Sequence, residues 1–394
     1  MLAPFYSGTV WANPVTRTLK AEWRISFVRT PHMADSVTFL LNNALSVSHL
    51  GGPDVKSYAE RSGDPKRVTV RLTSLNPGDS ASTIEIAYSG TPAFSGDSIN
   101  GMSPGWVELG LDSFWHPVIE DFAHSISAVI RVNLGNDWKA VASGEFTQSG
   151  EELHLRNSVP LIDIAFAASP FLEEVHGENV SVYYHAGEPP ILTAKVLETA
   201  GSCARTLNNT YGRRRSLPHV KMVIAPRVGP GYARKNYIVI TRTADTATVA
   251  LTRFICHELA HFWSSGANST GPENWLNEGF AEYVSARYVR SKLGEDAYNG
   301  IVRQWTDRAR GQPAIWTPQS QRRPMVGTSY GKAPLLIDRL ERRVGKPTMD
   351  RLLVRYMTES IASTSSLIEA VREVAGADVA QWLLSALGDA SPGT

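Results

Sequence analysis

Over roughly its first 170 residues the chain alternates apolar and polar positions in short runs, at 19–28, 37–45, 68–72, 83–88, 127–132 and 161–166. A period of two puts successive side chains on opposite faces of a strand. Turn-forming clusters punctuate the runs, among them Gly51-Gly52-Pro53-Asp54 and Asn76-Pro77-Gly78-Asp79. Together they predict an antiparallel β-sandwich, assigned to a domain of residues 1–175. The pattern then becomes mixed, with a strand over 180–184, a helix over 190–211 and strands over 220–225 and 238–240. Past Ala244-Asp245-Thr246, helical spacing dominates. One helix is predicted over 246–265, with Asp245 or Thr246 as its cap, apolar Val249, Phe254, Leu259 and Phe262, and Gly266 as its stop. A second opens near Asn274 and runs to about Ser291. Two or three more fill 346–386, where Leu352, Leu353, Tyr356, Leu367, Val371 and Val374 recur at helical spacing. The expected architecture is multidomain: the sandwich, then an α+β, mainly helical domain over 176–394.

Composition narrows the class without naming a chemistry. The 394 residues exceed one ordinary domain, and 42% apolar with 20% charged residues is a soluble globular balance. A net charge of +1 gives no electrostatic case for nucleic acid or a membrane surface. No run reaches the ~18 apolar residues of a membrane span. Residues 1–11 lack a basic segment and a long apolar core, so a soluble protein is expected, cytoplasmic or exported with a trimmed signal. Cys203 and Cys256 are too few for a disulfide framework, and Cys256 is assigned to the core. Arg213-Arg214-Arg215 reads as a solvated turn. His116, His124, His185 and His219 are isolated and are assigned no metal.

Chemistry concentrates at His257-Glu258-Leu259-Ala260-His261. Residues four apart share a helix face, so both imidazoles can point at one metal ion, with Glu258 within reach of a metal-bound water. Neutral imidazoles suit zinc, and burying this trio mid-helix without a partner would be costly. Downstream, Asn274-Trp275-Leu276-Asn277-Glu278-Gly279-Phe280-Ala281 opens the next helix. Glu278 is the candidate third ligand, and Glu282, one turn on, is its weaker rival. Three protein ligands plus water is the open pattern of a catalytic zinc site.

These two segments together resemble the zinc aminopeptidases of the alanyl-aminopeptidase type, a branch of the gluzincin metallopeptidases. The Trp-Leu-Asn-Glu-Gly-Phe-Ala run is far more specific than the His-Glu-x-x-His pattern alone. The resemblance implies a thermolysin-like catalytic domain, with Glu278 as third zinc ligand. Sixteen residues separate His261 from Glu278 here, where the family pattern has 18, so the intervening link is shortened. Ser329-Tyr330-Gly331-Lys332-Ala333-Pro334 resembles the family segment whose Tyr donates to the developing oxyanion, which assigns that role to Tyr330. A third family segment is half present. At Gly229-Pro230-Gly231-Tyr232-Ala233-Arg234-Lys235-Asn236-Tyr237, Gly231 and Asn236 have counterparts, but Arg234 and Lys235 stand where a Glu binds the substrate's α-amino group. Cations repel an ammonium, although solvent is the ordinary place for such side chains. The run Trp106 to Pro117 resembles the N-terminal domain of shorter bacterial members, and its Glu108 is a further candidate for the amine. The resemblance ends where a large C-terminal helical domain would begin in the family, which implies a more open cleft.

The expected function is therefore peptide-bond hydrolysis by a metal-activated water. One zinc is held by His257, His261 and Glu278, with Glu258 as general base and Tyr330 as oxyanion donor. The partner is a peptide substrate. Alternatives are an endopeptidase or oligopeptidase indifferent to the free amine, and a catalytically silent binding protein of the same fold. The intact Glu258 disfavours the last, because zinc binding alone does not require it.

Overall fold

The computed structural model describes residues 3–29, 35–74, 80–94, 100–120, 125–135, 137–241, 248–359 and 361–390. The cap residues Asp245 and Thr246, the turn at 76–79 and His124 lie outside them. The chain divides into two compact units. The first comprises 1–175, 182–188 and 221–242; the second comprises 176–181, 189–220 and 243–394.

The first unit is built on strands. A seven-stranded sheet runs in the order Glu145–Ser149, Glu152–Leu161, Ile126–Asn133, Phe5–Asn13, Thr18–Val28, Ala81–Gly90 and Leu45–Gly51. Thr18–Val28 shows the period-two burial that its sequence predicts, with Leu19, Ala21, Trp23, Ile25 and Phe27 inside. One pairing departs from the antiparallel expectation, since Phe5–Asn13 runs parallel to Ile126–Asn133. The segment 161–166 is not a strand. It is the irregular link between Glu152–Leu161 and Phe166–Ser169, buried because Ile164 and Ala165 plug the core. Two four-stranded sheets face this core. Trp115 is fully buried, and Tyr88 donates to its carbonyl while accepting from the Trp23 indole. The aromatic run around Trp115 is thus packing, as expected.

A five-stranded sheet follows, in the order Leu172–His176, Val180–His185, Val220–Ala225, Tyr237–Thr241 and Tyr232–Arg234. A single cut near 175 does not reproduce the observed units. Val223, Ala225, Tyr237 and Val239 share one core cluster with Trp106, Val141 and Ala167, which draws these strands into the first unit.

The second unit holds eight α-helices among the described residues: α1 (Pro190–Tyr211), α2 (Thr248–Ala260), α3 (Asn274–Leu293), α4 (Glu295–Ala309), α5 (Ala333–Val344), α6 (Lys346–Thr358), α7 (Thr364–Ala375) and α8 (Ala377–Gly388). The 346–386 region is therefore three helices. Each of α3, α5 and α7 ends at a glycine of positive φ (Gly294, Gly345, Gly376), which opens the following helix without strain. Cys203 of α1 and Cys256 of α2 form a disulfide, a pairing that sequence reasoning left unassigned. Both cysteines are buried, Cys256 as expected.

Candidate metal centre

The helix predicted to reach residue 265 stops at Ala260, so the motif occupies its last turn and not its middle. His261 keeps the helical register nonetheless, because its N–H still bonds the His257 carbonyl at 3.3 Å. The two imidazoles accordingly share one face, their centroids 4.7 Å apart. Phe262 and Trp263 then close the turn with shorter-range bonds to Leu259 and Ala260.

The shortened link returns to α3, whose first eight residues are all buried. Several of them explain part of the motif. The Asn277 amide accepts from Ala267 N at 3.1 Å and donates to Ala267 O at 3.0 Å, which pins the link. The Trp275 indole donates to Thr364 at 3.0 Å. Gly279 allows close helix packing, since a Cβ there would lie 3.0 Å from the Cβ of Ala333 in α5. Phe280 stacks on Tyr356 at 3.8 Å. Glu278 is thereby aimed at the histidines.

His257 Nε2 and His261 Nε2 are 3.1 Å apart, and Glu278 Oε2 is 3.4 Å from the first and 3.3 Å from the second. The ring nitrogens on the other side are engaged. His257 Nδ1 meets Glu282 Oε2 at 3.1 Å and His261 Nδ1 meets the Ser264 carbonyl at 3.1 Å. Each Nδ1 faces an acceptor and so carries the ring hydrogen, which leaves both Nε2 atoms as lone pairs. Three ligand atoms, one from each residue, then lie within 4.8 Å of one another. Such a cluster of acceptors needs a cation or a proton at its centre, and its two imidazoles and one carboxylate suit zinc. The acid–base balance agrees. Burial pushes His261 down, but the Glu278 carboxylate outweighs it and raises the imidazole to about 9. Burial pushes Glu278 up, but His261 and His257 hold it well below the usual carboxylate range.

Glu282, the rival ligand, is turned away from the cluster. It takes His257 Nδ1–H on one oxygen and the Trp305 indole at 2.9 Å on the other, and it pairs with Arg253. This carboxylate–imidazole contact fixes the tautomer and ring orientation of a candidate metal ligand. The preference for Glu278 over Glu282 as ligand was legible, but the role of Glu282 as the partner of His257 was not.

Glu258 is 8% exposed, and no hydrogen-bond donor is recorded for its carboxylate among the described residues. Tyr330 lies in a π turn, Thr328–Lys332, that leads into α5. Its ring stacks on His257 at 5.5 Å and its hydroxyl donates to Glu278 Oε2 at 2.7 Å. Burial, then Glu278, push its pKa well above the usual phenol value, so it stays a donor. Sequence reasoning missed Arg323, whose Nη2 is 3.8 Å from Glu278 Oε1.

The remaining candidates belong to the first unit. Glu108 is fully buried and takes both Arg227 Nε, at 2.8 Å, and Nη2, at 2.7 Å. Arg234 does not face solvent, the place ordinary for its type. It forms a buried fork with Asp163, at 2.5 and 2.9 Å. Lys235, at φ 59°, donates to the Pro160 carbonyl. Gly231 lies just before the strand Tyr232–Arg234, and the Asn236 carbonyl accepts from Lys221 N.

Known proteins resemble this chain in sequence and in fold. Residues 197–385 match the Peptidase family M1 domain. Probable M1 family aminopeptidase 2 of Encephalitozoon cuniculi is 26% identical over 223 residues. The match takes in 48% of this chain but only 26% of that protein, about a quarter of its length. The M1 zinc metallopeptidase of Deinococcus radiodurans, solved as a mutant bound to a Tyr-Ser-Ala substrate, has a TM-score of 0.75 at 20% identity, covering 98% of this chain and 94% of its own. Native yeast LTA4 hydrolase has a TM-score of 0.73 at 14% identity, covering 97% of this chain and 66% of its own. At these identities the likeness carries the fold, a many-stranded N-terminal region followed by a helical domain. No helix among the described residues is long and apolar enough to cross a membrane.

Proposed function

We propose that the chain, whose residues 197–385 match the Peptidase family M1 domain, is a zinc-dependent peptidase with an aminopeptidase-like site. The observation that carries this reading is the convergence of His257 Nε2, His261 Nε2 and Glu278 Oε2 beside an uncommitted Glu258. His257, His261 and Glu278 would hold one zinc ion. When bound, that ion supplies a Lewis acid and makes water a competent nucleophile near neutral pH. Glu258 takes the proton of the attacking water and passes it to the leaving amine. Tyr330 moves its hydroxyl from Glu278 to the substrate oxygen on which negative charge develops. Glu282 and the Ser264 carbonyl hold the two imidazoles in the required tautomer. Gly231 and Asn236 are retained as substrate contacts.

A second reading, a peptidase indifferent to the substrate's free amine, is favoured by the ion pairs of the first unit. Glu108 is committed to Arg227 and Asp163 to Arg234, so neither carboxylate is left uncommitted for an ammonium. Hydrolysis of an aminoacyl-anilide, compared with its N-acetylated form, separates these readings. We expect both to be cleaved, with the free amine preferred by less than ~10³-fold, since one charge-assisted hydrogen bond is worth only ~10- to 150-fold. A larger preference means that another acid anchors the amine. Loss of both activities in zinc-loaded protein leaves only the silent binding protein.

A further inference from the structure

We propose that Arg323 anchors a substrate carboxylate, and that the preferred substrates are therefore di- and tripeptides with a free C-terminus. The inference rests on the peptidase reading above. Arg323 lies in the segment that joins α4 to the π turn, and both ends of that segment are tied down. The buried Lys332 ammonium donates to the carbonyls of Gln312, at 3.4 Å, Pro313, at 3.1 Å, and Asp389, at 2.7 Å. The N–H groups of Thr328 and Ser329 both bond the Met325 carbonyl at 3.0 Å. Pro324 further restricts the Arg323 backbone to an extended form. The guanidinium is thus presented from a fixed frame at the metal centre, 3.8 Å from Glu278 Oε1.

That contact does not use it up. The side chain is 54% exposed, and its other nitrogens meet no acceptor among the described residues. Glu278 has little need of it either. Its Oε2 faces both imidazoles and accepts from Tyr330, while Oε1 has the Asn274 amide at 3.5 Å. A half-exposed ion pair at this distance contributes little. What remains is a planar fork of donors, open to solvent beside the reacting position, which matches a carboxylate bidentately. Chain geometry sets the length of the substrate. Consecutive Cα atoms are ~3.8 Å apart, so a terminal carboxylate one or two residues beyond the scissile carbonyl lies ~4–8 Å from it. A cation in contact with the far oxygen of a ligand carboxylate stands in that range.

The test compares a tripeptide free acid with its C-terminal amide. The readouts are kcat/KM, and calorimetric binding to the zinc-loaded Glu258→Gln protein, which needs no turnover. The expected result is an acid-over-amide ratio of ~10–150 that collapses in Arg323→Gln through KM and is partly restored in Arg323→Lys, which keeps the charge but not the fork. An equal ratio in the unsubstituted and Arg323→Gln proteins overturns the proposal. So does a loss of zinc in Arg323→Gln with equal effects on acid and amide, because Arg323 would then only hold Glu278. Acid-selective binding in a protein that hydrolyses neither peptide would sustain the anchor and sink the peptidase reading instead.

Discussion

Replacing Glu282 by Gln, beside Glu278 by Gln, tests the division of roles between the two carboxylates of α3. Glu282 Oε2 accepts from His257 Nδ1 and Oε1 from the Trp305 indole, and the buried Arg253 pairs with it. A Gln offers one carbonyl oxygen and one NH₂ in place of two acceptors. One of the two N–H donors must then face another donor, and Arg253 loses its counter-charge while remaining 11% exposed. Losing the partner of a buried charge costs ~3–5 kcal/mol of stability. A weakened outer-shell contact to a ligating imidazole costs about 10- to 100-fold in metal affinity. Glu278→Gln removes the charge and one oxygen of a candidate ligand itself, so it should abolish stoichiometric zinc while leaving Arg253 paired. The assay is zinc content after dialysis against a graded series of buffered free-zinc concentrations, read beside thermal unfolding of the metal-free proteins. The reasoning fails if Glu282→Gln strips zinc as thoroughly as Glu278→Gln, or if it leaves both zinc affinity and stability untouched.

Other substitutions and conditions address the remaining parts of the site. Glu258→Gln should lower turnover by ~10²-fold or more with zinc retained, and undiminished turnover would show that Glu258 is not the base. Zinc must displace the proton that Glu278 holds on His261 up to about 9. Apparent zinc affinity, measured by chelator competition, should therefore fall about tenfold for each pH unit below that value. The metal-free protein runs in the opposite sense. Its His261 contribution is fully present below the unfolded imidazole value of about 6.5 and is lost as pH rises through about 9, so its melting temperature should decline across that window. Asn277→Ala leaves the N–H and carbonyl of Ala267 without partners and should cost roughly 2–4 kcal/mol in denaturant unfolding. A change below ~1 kcal/mol would show that the link is held otherwise.

The sequence by itself determined the local features. Its periodicities placed several of the strands, and α1 appeared with its observed limits because Pro190 can only open a helix and the apolar spacing carries it to Tyr211. The spacing of His257 and His261 put both imidazoles on one face because helix phase is a local property, while Glu278 entered as a candidate through the resemblance of its run. Relations between distant segments were decided by the tertiary structure. The parallel pairing of Phe5–Asn13 with Ile126–Asn133 joins strands more than a hundred residues apart, which alternation cannot register. Arg234 and Lys235 look like solvent-facing cations until Asp163 and the Pro160 carbonyl are brought to them. Glu282 differs from Glu278 only through Trp305 and Arg253, and Arg323 gains meaning only because Lys332 ties its segment down beside Glu278. A residue's type and spacing state what it can bond. Which partner it bonds depends on what folding packs against it, and burial then makes that choice binding, since a buried polar group left unpaired costs more than the fold can spare.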